Sequence, residues 1–594
     1  MKLFLLTLVG IVIVTICSAQ EKNDSTNSTK RRSTAGKALH KGLGLITTHR
    51  KDTVLNELST DAFQPFENKI IRNIHVEFIG FERSIYDSTK RVKKIVTNVA
   101  NALHGRTKER IIRNHLFVKK NTHLNPYLLA DNERFLRDLD FIMDARLIVT
   151  PIEGTDSVDI TAVTRDIFSL GARFGGSASA PEISIYDANL AGQGQRVEFA
   201  GLVDGSRTPT FGYAAYYRKR SLLGSLVNVD LGYTQLNTGR SFGDEEEFSY
   251  FVLVNRPLVS PYSRLAGGME VSNNWSVNVY NKPDSAFLDY NYKVFDMWVG
   301  YNLGIKKSFA NRNRYFVALR YFDGFFLESP SQEEYEDDRD YNSIRGVLGE
   351  FTFYRKNYYK TRYVYGFGRT EDVPYGITAA ITLGYLRELQ LGRPYAALKF
   401  NYGQASKKGN FYLLNFETGA YLRESKFEDV LINATASYYT KAINVSHSKF
   451  RGMASFGFSQ LLDRTTDDYL NIRKSEVRGI SADTLNGTQR LSMRLEATLY
   501  TTRSILGFRF APFVGVDWAS LACINCYSKR PDIFGYNAGL RTRNENLIFG
   551  TVEVRFIYIP DNGLGDNEFK IEFRQNLRVK NTGSFAQKPM LVSN

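Results

Sequence analysis

The chain has almost no cysteine. Of its 3 cysteines, Cys17 falls in an apolar leader, and only Cys523 and Cys526 lie beyond it. That is too few to staple a chain of this size, so stability must come from burial and strand pairing. Beyond the leader no apolar run reaches the ~18 residues that a membrane-spanning helix needs, which argues against a helical membrane protein. Histidine is scarce as well: six of the 7 lie before residue 124, and His447 stands alone after it. A hydrolase needs a base beside a nucleophile, usually His with a carboxylate. His447 sits in Asn-Val-Ser-His with no Ser-rich elbow, and no Walker loop or HExxH pattern occurs. Enzymatic activity is not expected, and no cofactor or metal is implied.

What the sequence holds instead is aromatic residues, 35 Tyr and 41 Phe against 3 Trp. They lie in short alternating segments rather than in long apolar blocks, as in bacterial outer-membrane barrels. A net charge of +15 would suit nucleic acid, but the cations alternate singly with apolar residues and form no basic stripe. A polar lumen and loops facing anionic lipid account for the charge, and no nucleic-acid partner is expected.

Residues 1–19 open on Met1-Lys2, run apolar from Leu3 to Ile16 and close on Cys17-Ser18-Ala19, the layout of a secretory signal peptide cut before Gln20. Ile16 fits a lipoprotein site poorly, so Cys17 is read as discarded with the leader. Residues 20–66 are rich in Ser, Thr, Asn and Lys and are expected to be mostly disordered. Residues 67–166 then mix two periodicities. A strand is predicted at Ile70–Ile79, helices at Lys108–Val118 and Asn125–Asp138, and strands at Phe141–Pro151 and Val158–Arg165, a β-α-α-β-β order. Pro126 sits where its missing N–H is harmless, behind Asn125 as N-cap.

From 167 to 580 the period is two, broken by turns and polar loops such as Ser331–Ser343. Strands of the expected ~10 residues give about sixteen in that length, and closure leaves no unpaired edge in lipid. The fold class predicted is therefore an all-β transmembrane barrel of about sixteen antiparallel strands behind one small α+β domain. A polar tail, 581–594, follows.

The segments FENKIIRNIHV, IIRNHLFVKKNTHLNPYLLADNERFLRDLDFIMDARLIV and VDITAVTRDIFSLG resemble a POTRA domain feeding a barrel, through the two-helix core, the run Glu133–Arg137 and the closing Thr164-Arg165-Asp166. Asn189, Leu190, Gly192 and Gly194 are similar to the N-L-x-G-x-G element of the same superfamily, a weak Gly-rich turn when taken alone. Val477, Arg478, Gly479 and Ile480 resemble its V-R-G-F/Y motif, with Ile480 in place of the usual aromatic. Together these match the BamA/TamA-like assembly factors of the outer membrane, the surface-antigen family, as a member with a single POTRA domain.

The resemblance implies that the motif rides on a long surface loop folded back into the lumen. Alternation places Glu496 on the inner face of the next strand, and Gly515 and Asp517 on the inner face of the one after. An arginine on the loop would find both acids, and its planar fork can make paired bonds that lysine would not reproduce. In the family the inner-wall acid opens an F-x-D-x-G element; here Phe513-Val514-Gly515-Val516-Asp517 displaces it by two residues on the same face. The chain also carries the same dipeptide at Ile344-Arg345-Gly346. Position separates the two, because five strand-like segments follow residue 478, as after the superfamily's loop between strands eleven and twelve. Cys523 and Cys526 flank Ile524-Asn525 in an outward loop; a small loop disulfide is preferred there over a redox pair or half a metal site.

The resemblance implies an outer-membrane insertion factor that receives unfolded clients on its periplasmic POTRA domain by strand addition. It would then pass them through a seam between the first strand, near Ser169–Gly176, and the last, near Phe569–Val579. The alternative is a translocator of the two-partner-secretion type, exporting one protein through the lumen. Partners implied are unfolded outer-membrane or secreted proteins, outer-membrane lipid, periplasmic chaperones and accessory lipoproteins. The location implied is the bacterial outer membrane.

Overall fold

The structure is a computed structural model. It describes residues 47–49, 57–79, 83–84, 87–91, 106–177, 179–241, 243–303, 312–364, 366–465, 469–471, 477–478, 486–505, 507–522, 532–544, 550–560, 567–576 and 584–593. The leader 1–19, most of the segment 20–66, Gly479, Ile480, Cys523 and Cys526 lie outside the described residues.

Apart from a short two-stranded pairing of Arg83–Ser84 with Asp87–Arg91, the small domain follows the predicted order: β1 (Ile70–Ile79), α1 (Glu109–Arg113), α2 (Pro126–Asp138), β2 (Ile142–Pro151) and β3 (Ser157–Asp166). In its three-stranded sheet β3 is central, parallel to β1 and antiparallel to β2. Asn125 caps α2, its side chain accepting from the amides of Tyr127 and Leu128, so three polar groups are satisfied where Pro126 begins the helix. Ile112, Leu129, Leu136, Ile142, Val158 and Ile160 form the core. The expectation for residues 20–66 is corrected at its end. Phe63 is 1% exposed within that core, and Glu57–Leu58 pairs with a barrel strand. Phe63 and Phe66 make too short an apolar pattern, broken by Pro65, to mark an element in the sequence.

The barrel is a nearly closed antiparallel sheet of about twenty long strands from Leu170–Gly176 to Glu568–Asn576, not sixteen. Two hairpins show why. Glu388 pairs with Leu391 and Arg423 with Lys426, so each loop has two residues, and all four of Leu389, Gln390, Glu424 and Ser425 have positive φ. That is the hairpin conformation Asn-Gly usually signals. Without Gly or Asn such tight turns are silent in the sequence, so the expected number rests on length alone.

Strand length grows from 7 residues at Leu170–Gly176 to 18 at Ile344–Thr361 and falls to 9 at Glu568–Asn576. Side chains alternate as a bilayer barrel requires. Phe199, Leu319, Leu383 and Ile571 are exposed outside, whereas Asp296, Thr382, Arg393 and Glu553 are buried inside. Backbone ladders join the successive strands around the wall. Among the described residues no ladder joins the first strand to the last. There the Gln575 side chain reaches across, Nε2 donating to Ala172 O at 3.2 Å and Oε1 accepting from Phe174 N at 3.4 Å.

Candidate functional site

The site is built in three tiers: an arginine on an outer loop, an acidic cluster on the inner wall, and the small domain seated in the other end of the barrel. Five strands follow the loop carrying Arg478, from Gln489–Thr501 to Glu568–Asn576. The count from the end of the chain therefore holds, while the additional strands all precede the loop.

Strand alternation places Glu496 inward from Gln489–Thr501 and Asp517 inward from Phe508–Ala522, each buried. Arg478 Nη1 lies 3.2 Å from Glu496 Oε2, and its backbone N donates to Asp517 Oδ2 at 3.4 Å. Val477 is buried beside Ala519, Leu521 and Ile533. Gly515 is the cross-strand partner of Glu496, and with no side chain there, groups from further strands can cross to that carboxylate. Arg345, in the other Arg-Gly copy, behaves differently: it opens the strand Ile344–Thr361, is 59% exposed and pairs with Asp323 at 2.7 Å.

Sequence reasoning missed the partners that already hold Glu496. Arg541 grips it through both nitrogens of its fork, at 2.6 and 2.9 Å, and also pairs with Glu553 at 2.6 Å. Arg555 adds a contact at 3.4 Å and binds the other oxygen of Glu553 at 2.9 Å. Both guanidiniums stack on Phe513, at 4.1 and 4.3 Å from the ring centre, a geometry lysine would not reproduce. The signal was present, since Arg541, Glu553 and Arg555 occupy inward positions of the last strands.

The Gly-rich element is the joint between the two domains. Asn189 Nδ2 donates to Thr107 Oγ1 at 2.8 Å and its Oδ1 accepts from Gly194 N at 2.7 Å. Gly192 has φ +68 and a Cβ there would lie 2.1 Å from Arg106 O; Gly194 has φ +63 and packs against Ile111 and Phe141. Leu190 is half-exposed. The spacing thus serves close backbone approach at positive φ.

Helix α2 sits in the mouth of the barrel, against the inner wall. Arg137 pairs bidentately with Asp372, at 2.7 and 2.9 Å, and with Glu133 at 2.7 Å; Glu133 also meets Lys360 at 2.6 Å. Asp131 meets Arg312 at 3.3 Å, and Arg134 lies over Tyr358 while donating to Val259 O. Burial alone would push the Glu133 carboxyl up, but Lys360 and Arg137 hold it at about 2. The same helix shields one sheet edge, for Glu133 Oε2 accepts from Leu147 N and Arg137 donates to Ala145 O.

His115 lies behind this contact. Its Nδ1 donates to Ile111 O at 2.6 Å, and burial lowers its pKa to about 4. The unfolded chain takes up this proton near pH 6.5 and the folded chain only near 4, so stability present above pH 6.5 is lost as pH falls through that window. His115→Phe is expected to flatten the pH dependence of small-domain unfolding between pH 6.5 and 4, by roughly 3 kcal/mol at the acid end. Urea titrations at stepped pH check this, and parallel pH profiles for variant and parent would refute it.

No family model matches the chain, and no curated protein matches it. Among solved structures it is similar to BamA from Haemophilus ducreyi lacking POTRA domains 1–3, at 10% identity over 92% of this chain and 94% of that one, with a TM-score of 0.33. It is likewise similar to CdiB from Acinetobacter baumannii, at 11% identity over 94% and 84% with a TM-score of 0.37, and to CdiB from Escherichia coli, at 10% identity over 93% of each chain with a TM-score of 0.37.

Proposed function

We propose that the chain is an outer-membrane factor that inserts other β-barrel proteins, taking them up on its small domain, read as a POTRA domain, and passing them through the seam. The observation that carries this reading is the seam itself. Every unpaired strand edge in lipid costs several kcal/mol per unsatisfied group, yet among the described residues the first and last strands meet through the Gln575 amide and no backbone ladder. A primary amide offers one donor and one acceptor across the gap, as a peptide unit does, but a single rotation about the side chain releases both. The edges so exposed would template a client's strand by main-chain pairing. In this reading the contact of Arg478 with Glu496 and Asp517 locks the outer loop. Folding of the client into lipid supplies the driving force, so no nucleotide is needed.

A second reading, export of a dedicated protein through the lumen, is favoured by the interior. Among the described residues its cavities include two of about 600 and 690 Å³.

The two readings part on a seam lock. In a chain with Cys523→Ser and Cys526→Ser, the pair Phe174→Cys and Gln575→Cys is expected to abolish rescue of protein-depleted cells when oxidised and to restore it on reduction. Many outer-membrane barrels should fall several-fold in the locked cells. Loss of one exported protein with the barrels intact, or full rescue by the oxidised lock, would overturn insertion through the seam.

A further inference from the structure

The described part of the polar tail, residues 584–593, lies inside the barrel. Residues 584–593 climb the inner wall in extended form. Phe585 is buried against Tyr354 and Tyr358, with ring centres 5.9 and 5.8 Å away, and its amide donates to Leu258 O at 2.9 Å. Lys588 Nζ sits 2.6 Å from Asp296 Oδ2. Further along, Val592 packs with Leu591 among Phe322, Leu348 and Tyr395.

Between these side-chain anchors the wall takes the backbone. Arg320 donates to Pro589 O at 2.9 Å, Lys399 to Met590 O at 2.9 Å and Asn433 to Ser593 O at 3.1 Å, while Val592 N donates to Tyr395 Oη at 2.8 Å. Arg320 is itself fixed by both oxygens of Asp296, at 2.8 and 2.9 Å. One buried acid thus orients a side-chain donor to the strap's main chain and binds Lys588.

We propose that this wall is a recognition track for an extended peptide bearing an aromatic residue, a basic residue three positions on and an aliphatic pair beyond it. The chain's own residues 584–593 occupy it as a displaceable strap that closes the lumen. Three features fit that role. Backbone carbonyls are bound by side chains, which suits any chain of the right anchors. Ser584, Ala586, Gln587, Lys588 and Met590 of the strap line two cavities of the interior, on the side of Asp372 and on the side of Asp140. It also touches both ends of the machinery: Arg134 of α2 lies 5.4 Å from the Phe585 ring, and Val592 packs on the cluster that holds Val477. Covalent attachment gives the strap an effective concentration on the order of millimolar, enough to keep a weak site filled until a competing segment arrives. This inference concerns pore closure and holds under either reading of the function.

Single-channel conductance in planar bilayers tests it. The full chain is expected to conduct poorly and a chain ending at Gly583 several-fold better. The synthetic peptide SFAQKPMLVSN should block the shortened chain reversibly, and a scrambled peptide should not. Because shortening can impair assembly, Phe585→Ser with Lys588→Glu in the full chain provides a second route, and it should conduct like the shortened chain once its heat-modifiable gel shift shows a folded barrel. Equal conductance of this variant and the parent, or equal block by both peptides, would overturn the proposal.

Discussion

Glu496→Ala is expected to lower the urea stability of the barrel by about 2–4 kcal/mol, whereas Arg478→Ala is expected to leave it within ~1 kcal/mol. The asymmetry follows from the contacts. Arg478 brings one nitrogen to Glu496 at 3.2 Å and one backbone amide to Asp517; when it is removed, Glu496 keeps both bonds from Arg541. Removing Glu496 instead leaves Arg478, Arg541 and Arg555 converging on a space from which the shared carboxylate is gone, with Glu553 still paired to Arg541 and Arg555. Leaving a buried charge without its partner costs more than losing one member of a network. Both variants should free the outer loop. Protease applied from outside should therefore cut near residue 478 in both, while only Glu496→Ala shifts the unfolding midpoint. Glu496→Gln keeps the shape without the charge and should fall between them. Equal midpoints for the two alanine variants would show that the loop contact, not the wall network, dominates.

How much of this could be read beforehand varies with the range of the interaction that fixes each feature. Helix α2 was legible from Asn125-Pro126 and its apolar spacing, because caps and periodicity act within a few residues. The inward placement of Glu496 and Asp517 followed from strand alternation on neighbouring strands. Arg541 and Arg555 were not anticipated, since they reach Glu496 across the gap above Gly515 from strands that are not its neighbours. The strand number, reckoned from length alone, came out low because turns as tight as Leu389-Gln390 and Glu424-Ser425 are not announced by their side chains. Gly192 and Gly194 looked like an ordinary turn, because what makes them necessary is the approach of residues 106–111. Residues 584–593 read as solvated because an extended segment recognised through its carbonyls needs no periodicity of its own.

The largest effect on the small domain is expected from Glu133→Ala, about 3–5 kcal/mol, with the domain released from the barrel mouth. Glu133 is 2% exposed and serves three partners: Lys360 at 2.6 Å, Arg137 at 2.7 Å and the Leu147 amide at 2.9 Å. Lys360 and Arg137 are themselves buried, so water cannot replace the lost carboxylate without opening the contact. Arg137 retains Asp372; Lys360 loses the carboxylate it is paired with, and that buried ammonium is the main cost. Lys360→Met in the same chain should therefore recover much of the loss, since an apolar residue of similar length removes the stranded charge. Glu133→Gln can still accept from Leu147 N and should be milder. The sign with pH is also fixed. The carboxyl titrates at about 2 when folded and near 4.5 when unfolded, so its stabilisation is present above pH ~4.5 and fades toward pH ~2. The parent and Glu133→Ala should accordingly converge as pH falls through that range. Hydrogen exchange of β2 and β3 amides reads the release directly. An unchanged exchange pattern in Glu133→Ala, or no recovery with Lys360→Met, would mean that the apolar contacts around Tyr358 and Phe585 hold the domain in place and the ion pairs only align it.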